Sequence, residues 1–251
     1  MVVVRITWFR EGLSEEADAV VVIDVLRFST TVAVALGLGF KHVYAFSELS
    51  NAINFARLRK LPLLAEVRGL KPQEADLDNS PSELMKHGAT YLKRGINELV
   101  IRTTSGATIV SEAAKQGFRN IFISSTVNAR SVAKALLSKR YSTVNIVCAG
   151  LDLSKFAIED FAGAGALIEE LTSLEPGVVL EDEGLAALHM YRSARETLLE
   201  LFSRGRSGKI VTSTGHYEDI VVACRVNSLN VVPQATPLNQ SDGALISLYN
   251  F

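Results

Sequence analysis

Cysteine is scarce in this chain. There are two, Cys148 and Cys224, each in an apolar run and neither in a Cys-x-x-Cys pair. A disulfide scaffold is therefore excluded, and the pair reads as small core residues of a reducing compartment. Neither cysteine is followed by the five-residue spacer and arginine of a cysteine phosphatase loop. No His-Glu-x-x-His motif suggests zinc. Histidine is sparse and scattered, at His42, His87, His189 and His216, and only His216, after Gly215 in an expected turn, is a candidate ligand. There is no Gly-rich loop ending in Lys-Ser or Lys-Thr, so a P-loop nucleotidase is not expected. Asp24 lacks the second aspartate, two residues on, of an Asp-x-Asp phosphatase motif.

Charge of one sign is also missing. Lys plus Arg number 26 and Asp plus Glu 27, for a net charge of -1. No single-sign field covers the protein, so neither nucleic acid nor an anionic membrane is an expected partner. The longest apolar run, 31–40, is too short to span a bilayer. The first ten residues carry no basic stretch followed by an apolar core, so no signal peptide is expected and the protein reads as cytoplasmic. Any anion site must be local, built from a few arginines and backbone amides.

What is present is alternation. Short β-branched runs at 2–6, 19–25, 42–46, 62–66, 98–103, 120–124 and 143–149 read as strands. Helical patterns at 29–39, 48–60, 105–117 and 127–139 separate them. Ser80-Pro81-Ser82-Glu83 reads as an N-cap, a proline at the first helical position and an acidic first turn, opening a helix that should end near Gly88. The expected fold is α/β, a mostly parallel sheet with helices on both faces. A second, smaller α/β lobe is expected from 151 to 251, after a first domain of 1–150. In it, 158–171 and 182–202 read as helices, the second long and amphipathic. Residues 205–208 read as a basic turn, 221–232 as strand-like and the last residues as irregular.

Three strands end in hydroxyl-rich turns that open helices: Asp24 to Thr31, with Arg27, Ser29 and Thr30; Arg102 to Thr108, with Thr103, Thr104, Ser105 and Gly106; and Ser124 to Arg130, with Asn128. In a parallel α/β sheet such turns gather at the C-terminal edge, where ligands bind. Free N–H groups at helix starts, with Arg27 and Arg102, suit a ligand with two anionic groups. Simple N-capping explains each turn taken singly. The acids form a second set. Asp24 ends an apolar strand, where a lone charge is costly unless paired or metal-bound. Glu66 ends another, followed by Arg68 and Gly69, and Glu159-Asp160 opens a helix. Hard carboxylate oxygens at strand ends suit Mg²⁺. The competing explanation for Asp24 is a salt bridge to Arg27, and for Glu159 and Asp160 a favourable place on a helix dipole.

These residues carry a resemblance. Val22-Ile23-Asp24-Val25-Leu26-Arg27 with Ser29-Thr30, Asn79-Ser80-Pro81, Thr103-Thr104 with Gly106 and Thr108, Asn128-Ala129, Cys148-Ala149-Gly150, Glu159-Asp160, Asp219-Ile220 and Val232-Pro233 follow in one order. The chain resembles the 2-phosphosulfolactate phosphatase family over almost its whole length. The resemblance implies a two-lobed α/β fold and a Mg²⁺-dependent hydrolysis of 2-phospho-3-sulfolactate to sulfolactate and phosphate, a step toward coenzyme M in methane-producing archaea. The partner implied is thus a small phosphorylated sulfonate and carboxylate. Two departures stand out: Ala65-Glu66-Val67-Arg68-Gly69 where the family usually has Gly-Glu-Arg-Gly, and Ser105-Gly106-Ala107 where it usually has Asn-Gly. On this reading Asp24 and Arg27 are catalytic. Ser29, Thr30, Arg68, Thr103, Thr104, Ser105, Gly106 and Asn128 bind substrate, and Asp24, Glu66, Glu159 and Asp160 hold the metal. A non-catalytic anion- or metabolite-binding protein on the same fold is the alternative, and phosphate release from an aryl phosphate separates the two. The oligomeric state is open, a homodimer included.

Overall fold

The computed structural model describes residues 2–67, 69–238 and 243–249. Ten strands form one sheet: β1 Val2–Trp8, β2 Ala19–Ile23, β3 His42–Phe46, β4 Leu63–Ala65, β5 Glu98–Arg102, β6 Ile121–Ser124, β7 Thr143–Cys148, β8 Val178–Leu180, β9 Pro233–Pro237 and β10 Gly243–Leu248. The helices are α1 Phe28–Leu38, α2 Leu49–Arg59, α3 Pro81–Lys93, α4 Gly106–Lys115, α5 Ala129–Ser138, α6 Ile158–Leu174, α7 Asp182–Ala194, α8 Leu198–Arg204, α9 Arg206–Ser213 and α10 Tyr217–Ala223.

The strand order is β4-β5-β3-β10-β9-β6-β2-β7-β1-β8. It contains two parallel blocks, β4-β5-β3 and β6-β2-β7-β1-β8. The antiparallel pair β9-β10 is wedged between them, antiparallel to both neighbours. Three successive reversals make the two blocks run in opposite directions. The sheet is therefore α/β and mostly parallel, as the sequence pattern implies, but mixed at its centre. The strand-end turns do not all share one edge by parallelism. Between β5 and β2 lie five strand-to-strand steps, and a twist of roughly 20–25° per step accumulates to about a right angle or more. The end of β5 does meet the end of β2, where the Gly106 N–H donates to Asp24 Oδ2 at 2.8 Å.

Strand β2 shows why the sheet is covered on both faces. Val20 and Val22 enter one core, with α1 and α4; Ala19, Val21 and Ile23 enter the other, with α5, α6 and α7. The alternation follows from the two-residue period of a strand. The apolar run at 31–40 is α1, buried along its first nine residues and closed by Gly39 in the left-handed conformation. Among the described residues no helix is long and apolar enough to cross a membrane.

Several local expectations are corrected. Helix α3 runs through Gly88 to Lys93; a Cβ there would lie 3.0 Å from Leu38 Cδ1, so the glycine permits close contact between α3 and α1 and does not stop the helix. The long helix from 182 breaks at a 3₁₀ turn, Arg195–Thr197. The 205–208 segment is the N-cap and first turn of α9; a Cβ on Gly208 would collide with the Phe202 carbonyl, so only glycine lets α8 and α9 meet at this corner. The 221–232 segment is not strand: it holds the end of α10, Tyr217–Ala223, and then turns and irregular chain up to β9 at Pro233. Much of the C-terminal segment read as irregular is strand: β9 and β10 complete the middle of the sheet. Residues 151–251 thus return three strands to the same sheet as the first half.

Candidate active site

The cleft sits where β2, β4, β5 and β7 end and is open to solvent; its space, open mouth included, is about 590 Å³. Four acids line it. Asp24 follows β2 directly. Its backbone is held by reciprocal bonds with Ser29: the Asp24 N–H donates to Ser29 Oγ at 3.0 Å, and the Ser29 N–H donates to the Asp24 carbonyl at 2.8 Å. Asp24 Oδ2 accepts from the Gly106 N–H at 2.8 Å. Asp160, in the first turn of α6, accepts from the Val25 N–H at 2.8 Å and the Gly150 N–H at 2.9 Å, tying the ends of β2 and β7 together. Glu66, just past β4, accepts from the Thr104 N–H at 2.6 Å and the Gly69 N–H at 2.7 Å. Glu159 is stabilised by the Ser207 side chain, and its Oε2 is buried with no hydrogen-bond partner.

The electrostatics follow from burial. Loss of hydration pushes Asp24 up to about 7; the charges of Glu66 and Glu159 push the same way, and the Gly106 N–H opposes them. Burial also raises Asp160, aided by Asp24 and Glu159, and raises Glu159, opposed by Ser207. These acids share one poorly hydrated space and repel each other, a situation that a cation relieves. Among the described residues, no three or more His, Cys, Asp or Glu side chains form a ready-made cage. The donor set fits Mg²⁺ in its common mode, held by one or two carboxylates with substrate oxygens and waters. Asp24 and Glu159 are placed to supply that hold: Asp24 borders the cleft beside the 103–106 turn, and Glu159 offers an unpartnered oxygen. Glu66 and Asp160 already accept two backbone bonds each.

Arg27 does not pair with Asp24. Its Nη2 donates to Asp78 Oδ1 at 2.9 Å and its Nη1 to Asp219 Oδ2 at 3.3 Å, all three side chains buried. Asp219 Oδ1 also accepts from Ser80 Oγ at 2.7 Å and from the Ser82 N–H at 3.1 Å. Ser80 caps α3 as its sequence implies, accepting from the Glu83 N–H at 3.1 Å. His216 Nε2 lies 3.4 Å from both Asp78 Oδ2 and Glu83 Oε1. Arg27 thus borders the cleft with its charge already answered. Asp78 is a residue that sequence reasoning missed, and Asp219 was seen only as part of a motif. Arg102 is turned to backbone, donating to the carbonyls of Ser47 and Glu66, and does not line the cleft.

Of the hydroxyl-rich turns, that of β5 brings hydroxyl residues to the cleft, Thr103, Thr104 and Ser105, while that of β2 brings Asp24 and Arg27 but not its hydroxyls. Thr30 is bonded to the Val25 carbonyl and to Ser125 Oγ, each at 2.7 Å. Asn128 Oδ1 accepts from the Ser125 N–H at 2.8 Å, and its Nδ2 donates to the Ile123 and Val231 carbonyls. Ser29, Thr30 and Asn128 are buried and hold the frame rather than lining the cleft. Arg68 lies outside the described residues. Gly106 is demanded by proximity: a Cβ there would strike the Phe28 ring and lie 2.7 Å from Asp24 Oδ2. Gly106→Ala is expected to cost about 1–3 kcal/mol by overpacking, read as a lower urea midpoint, together with lost activity; an unchanged midpoint would show that Phe28 yields freely.

The chain is similar to known proteins along most of its length. The family model described as 2-phosphosulpholactate phosphatase matches residues 9–237. Relatives named "Probable 2-phosphosulfolactate phosphatase" include one from Carboxydothermus hydrogenoformans, 31% identical over 233 residues that cover 92% of each chain. Another, from Gloeothece citriformis, is 30% identical, covering 91% of this chain and 92% of the relative. A third, from Prochlorococcus marinus, is 31% identical over 243 residues and 94% of each chain. A match across both parallel blocks, the acids and the 103–106 turn leaves one assignment: the chain belongs to the 2-phosphosulpholactate phosphatase family.

Proposed function

We propose that this protein is a Mg²⁺-dependent phosphatase that hydrolyses 2-phospho-3-sulfolactate, or a closely similar acidic phosphate ester, to the free hydroxy acid and phosphate. The observation that carries the reading is the meeting of Asp24, Glu66, Glu159 and Asp160 with the 103–106 turn in one cleft, in a chain whose family match spans residues 9–237. Hydrolysis forms a bond from water oxygen to phosphorus, breaks the ester P–O bond and returns a proton to the departing alkoxide. A bound Mg²⁺ would offset the charge that develops on the phosphoryl oxygens. The chain itself supplies position. Asp24 is fixed by Gly106 and Ser29, and Glu66 holds the 103–106 turn by the Thr104 N–H. Thr103, Thr104 and Ser105 offer hydroxyls to the phosphoryl group, and the Arg27 fork is held still by two acids.

The test is phosphate release from synthetic 2-phospho-3-sulfolactate. Chelation should abolish turnover, and added Mg²⁺ should restore it. Full turnover in chelator would remove the cation from the reading. No release with Mg²⁺ present, alongside tight binding of the ester, would favour a binding protein instead.

A further inference from the structure

Arg27 is the sole Lys or Arg among the described residues lining the cleft, so the placement of its fork governs how an anion is met there. Two acids fix that fork. Asp219 is itself fixed by Ser80 Oγ and the Ser82 N–H. Asp78 is held differently. Its Oδ1 takes Arg27, and its Oδ2 faces the ring of His216, 3.4 Å from Nε2. The same nitrogen lies 3.4 Å from Glu83 Oε1, and Glu83 Oε2 accepts from the Asp78 N–H at 3.1 Å. His216 thus stands between two acids that are tied to one another, one of which holds the arginine.

The other side of the ring fixes its protonation. Nδ1 lies 3.3 Å from Thr214 Oγ1. That hydroxyl has one proton, and two carbonyls already face it, those of Ile210 at 3.2 Å and Val211 at 3.1 Å. Nδ1 is therefore the donor to Thr214, while Nε2 faces two carboxylate oxygens. A neutral imidazole has one N–H, so one of its nitrogens would turn a lone pair on an acceptor. Only the imidazolium answers both sides.

The surroundings of the ring supply no substitute for that charge. The 78–80 segment brings Asp78, α3 brings Glu83 and α9 brings Thr214; Glu218 and Asp219 follow His216 in the first turn of α10. Among the described residues, Lys86 and His87 of α3 and Arg206 and Lys209 of α9 make no ion pair with Asp78 or Glu83. With the second ring proton, two cations meet Asp78, Asp219 and Glu83. Without it, Arg27 alone serves them, and Asp78 and Glu83 repel each other across the ring.

We propose that His216 is a positioning residue: as the imidazolium it anchors Asp78, and through Asp78 it holds the Arg27 fork at the cleft. Its part in turnover rests on the phosphatase reading; its coupling to Arg27 does not.

The experiment follows the His216 ring and the Arg27 Nε–H by nitrogen NMR from about pH 5 to 9, the range that spans a histidine's change of charge. The full chain is used with Mg²⁺, as wild type and as His216→Gln, and kcat/KM for 2-phospho-3-sulfolactate is measured beside it. The Arg27 signal should move with the midpoint of the His216 ring, and that movement should vanish in His216→Gln. Near pH 6 the variant should lose about tenfold in kcat/KM, the scale of a misplaced binding group, and near pH 9 the two proteins should converge to within about twofold. The ester's own titration is common to both proteins and cancels in the ratio. A merely structural residue would cost the same at both pH values and leave the Arg27 signal indifferent to the ring; either result overturns the proposal. If His216→Gln does not fold, the match of the two wild-type midpoints decides alone. Absence of turnover in wild type sinks the phosphatase reading, and the NMR arm then decides the role of His216 by itself.

Discussion

Asp24→Asn is expected to lower phosphate release by at least about 10²-fold, the scale of losing one charge-stabilising group at a reaction centre, while the chain stays folded. The side chain keeps its volume, and an asparagine oxygen can still accept the Gly106 N–H. What is lost is a negative charge beside the 103–106 turn. The stability effect has a defined sign. In the metal-free protein, burial and the charges of Glu66 and Glu159 raise Asp24 to about 7. A raised carboxyl pKa means that the folded state binds more protons than the unfolded state between roughly pH 4 and 7. The stability linked to Asp24 is therefore present below the unfolded value and lost as pH rises through about 7. Asp24→Asn removes that loss. In chelator at pH 8 the variant should melt at or above the wild-type temperature, and the difference should fade toward pH 5. Added Mg²⁺ should raise the melting temperature of wild type more than that of the variant, since a ligand stabilises whichever state binds it. Wild-type turnover in folded Asp24→Asn would take Asp24 out of the site.

How much of this could be read from the chain depends on range. Asp24 is legible because a charge after five buried apolar residues cannot be idle, and the apolar alternation of β2 is local. The cap at Ser80 is legible for the same reason. The partners of Arg27 are not: Asp78 lies 51 residues away and Asp219 lies 192 away, and nothing local marks either as its counterion. The nearby Asp24 looks like the natural partner, but its carboxylate is turned to Gly106. The hydroxyl turns divide on the same ground. Ser29, Thr30 and Asn128 resemble ligand-binding residues by type, yet their neighbours in the fold satisfy them. Thr104 is set apart only by an unmet oxygen that no sequence displays. The β9-β10 pair was hidden because β9 is short, bounded by prolines and half-exposed. Its strand character comes from β6 and β10 on either side, a long-range effect that outweighs local propensity. The reversal between the two parallel blocks follows from that insertion.

Arg27→Ala is expected to destabilise the fold by about 3–5 kcal/mol, because removing one partner from a buried ion pair leaves the other charge uncompensated. Here two carboxylates are stranded. Asp78 and Asp219 are buried, and neither can turn to bulk water without opening the contact between α3 and α10. Burial already raises Asp78, and Arg27 and His216 hold it down. Without the guanidinium the raised group rises further, so the variant binds more protons when folded than when unfolded over a wider range. Its stability should then be lost as pH climbs, and the gap to wild type should narrow as pH falls. Urea unfolding at pH 5.5 and pH 8 reads both effects. A loss below about 1 kcal/mol at pH 8, the range of an exposed salt bridge, would show that water reaches the pair. The triple variant Arg27→Met, Asp78→Asn, Asp219→Asn separates charge from packing: it should recover much of the lost stability, because an apolar or neutral substitute for a whole buried ion network is often tolerated. It should not recover turnover, since the Arg27 fork that borders the cleft is gone from it. Recovery of both would reduce Arg27 to a structural residue and leave the phosphoryl group to the 103–106 turn and the acids.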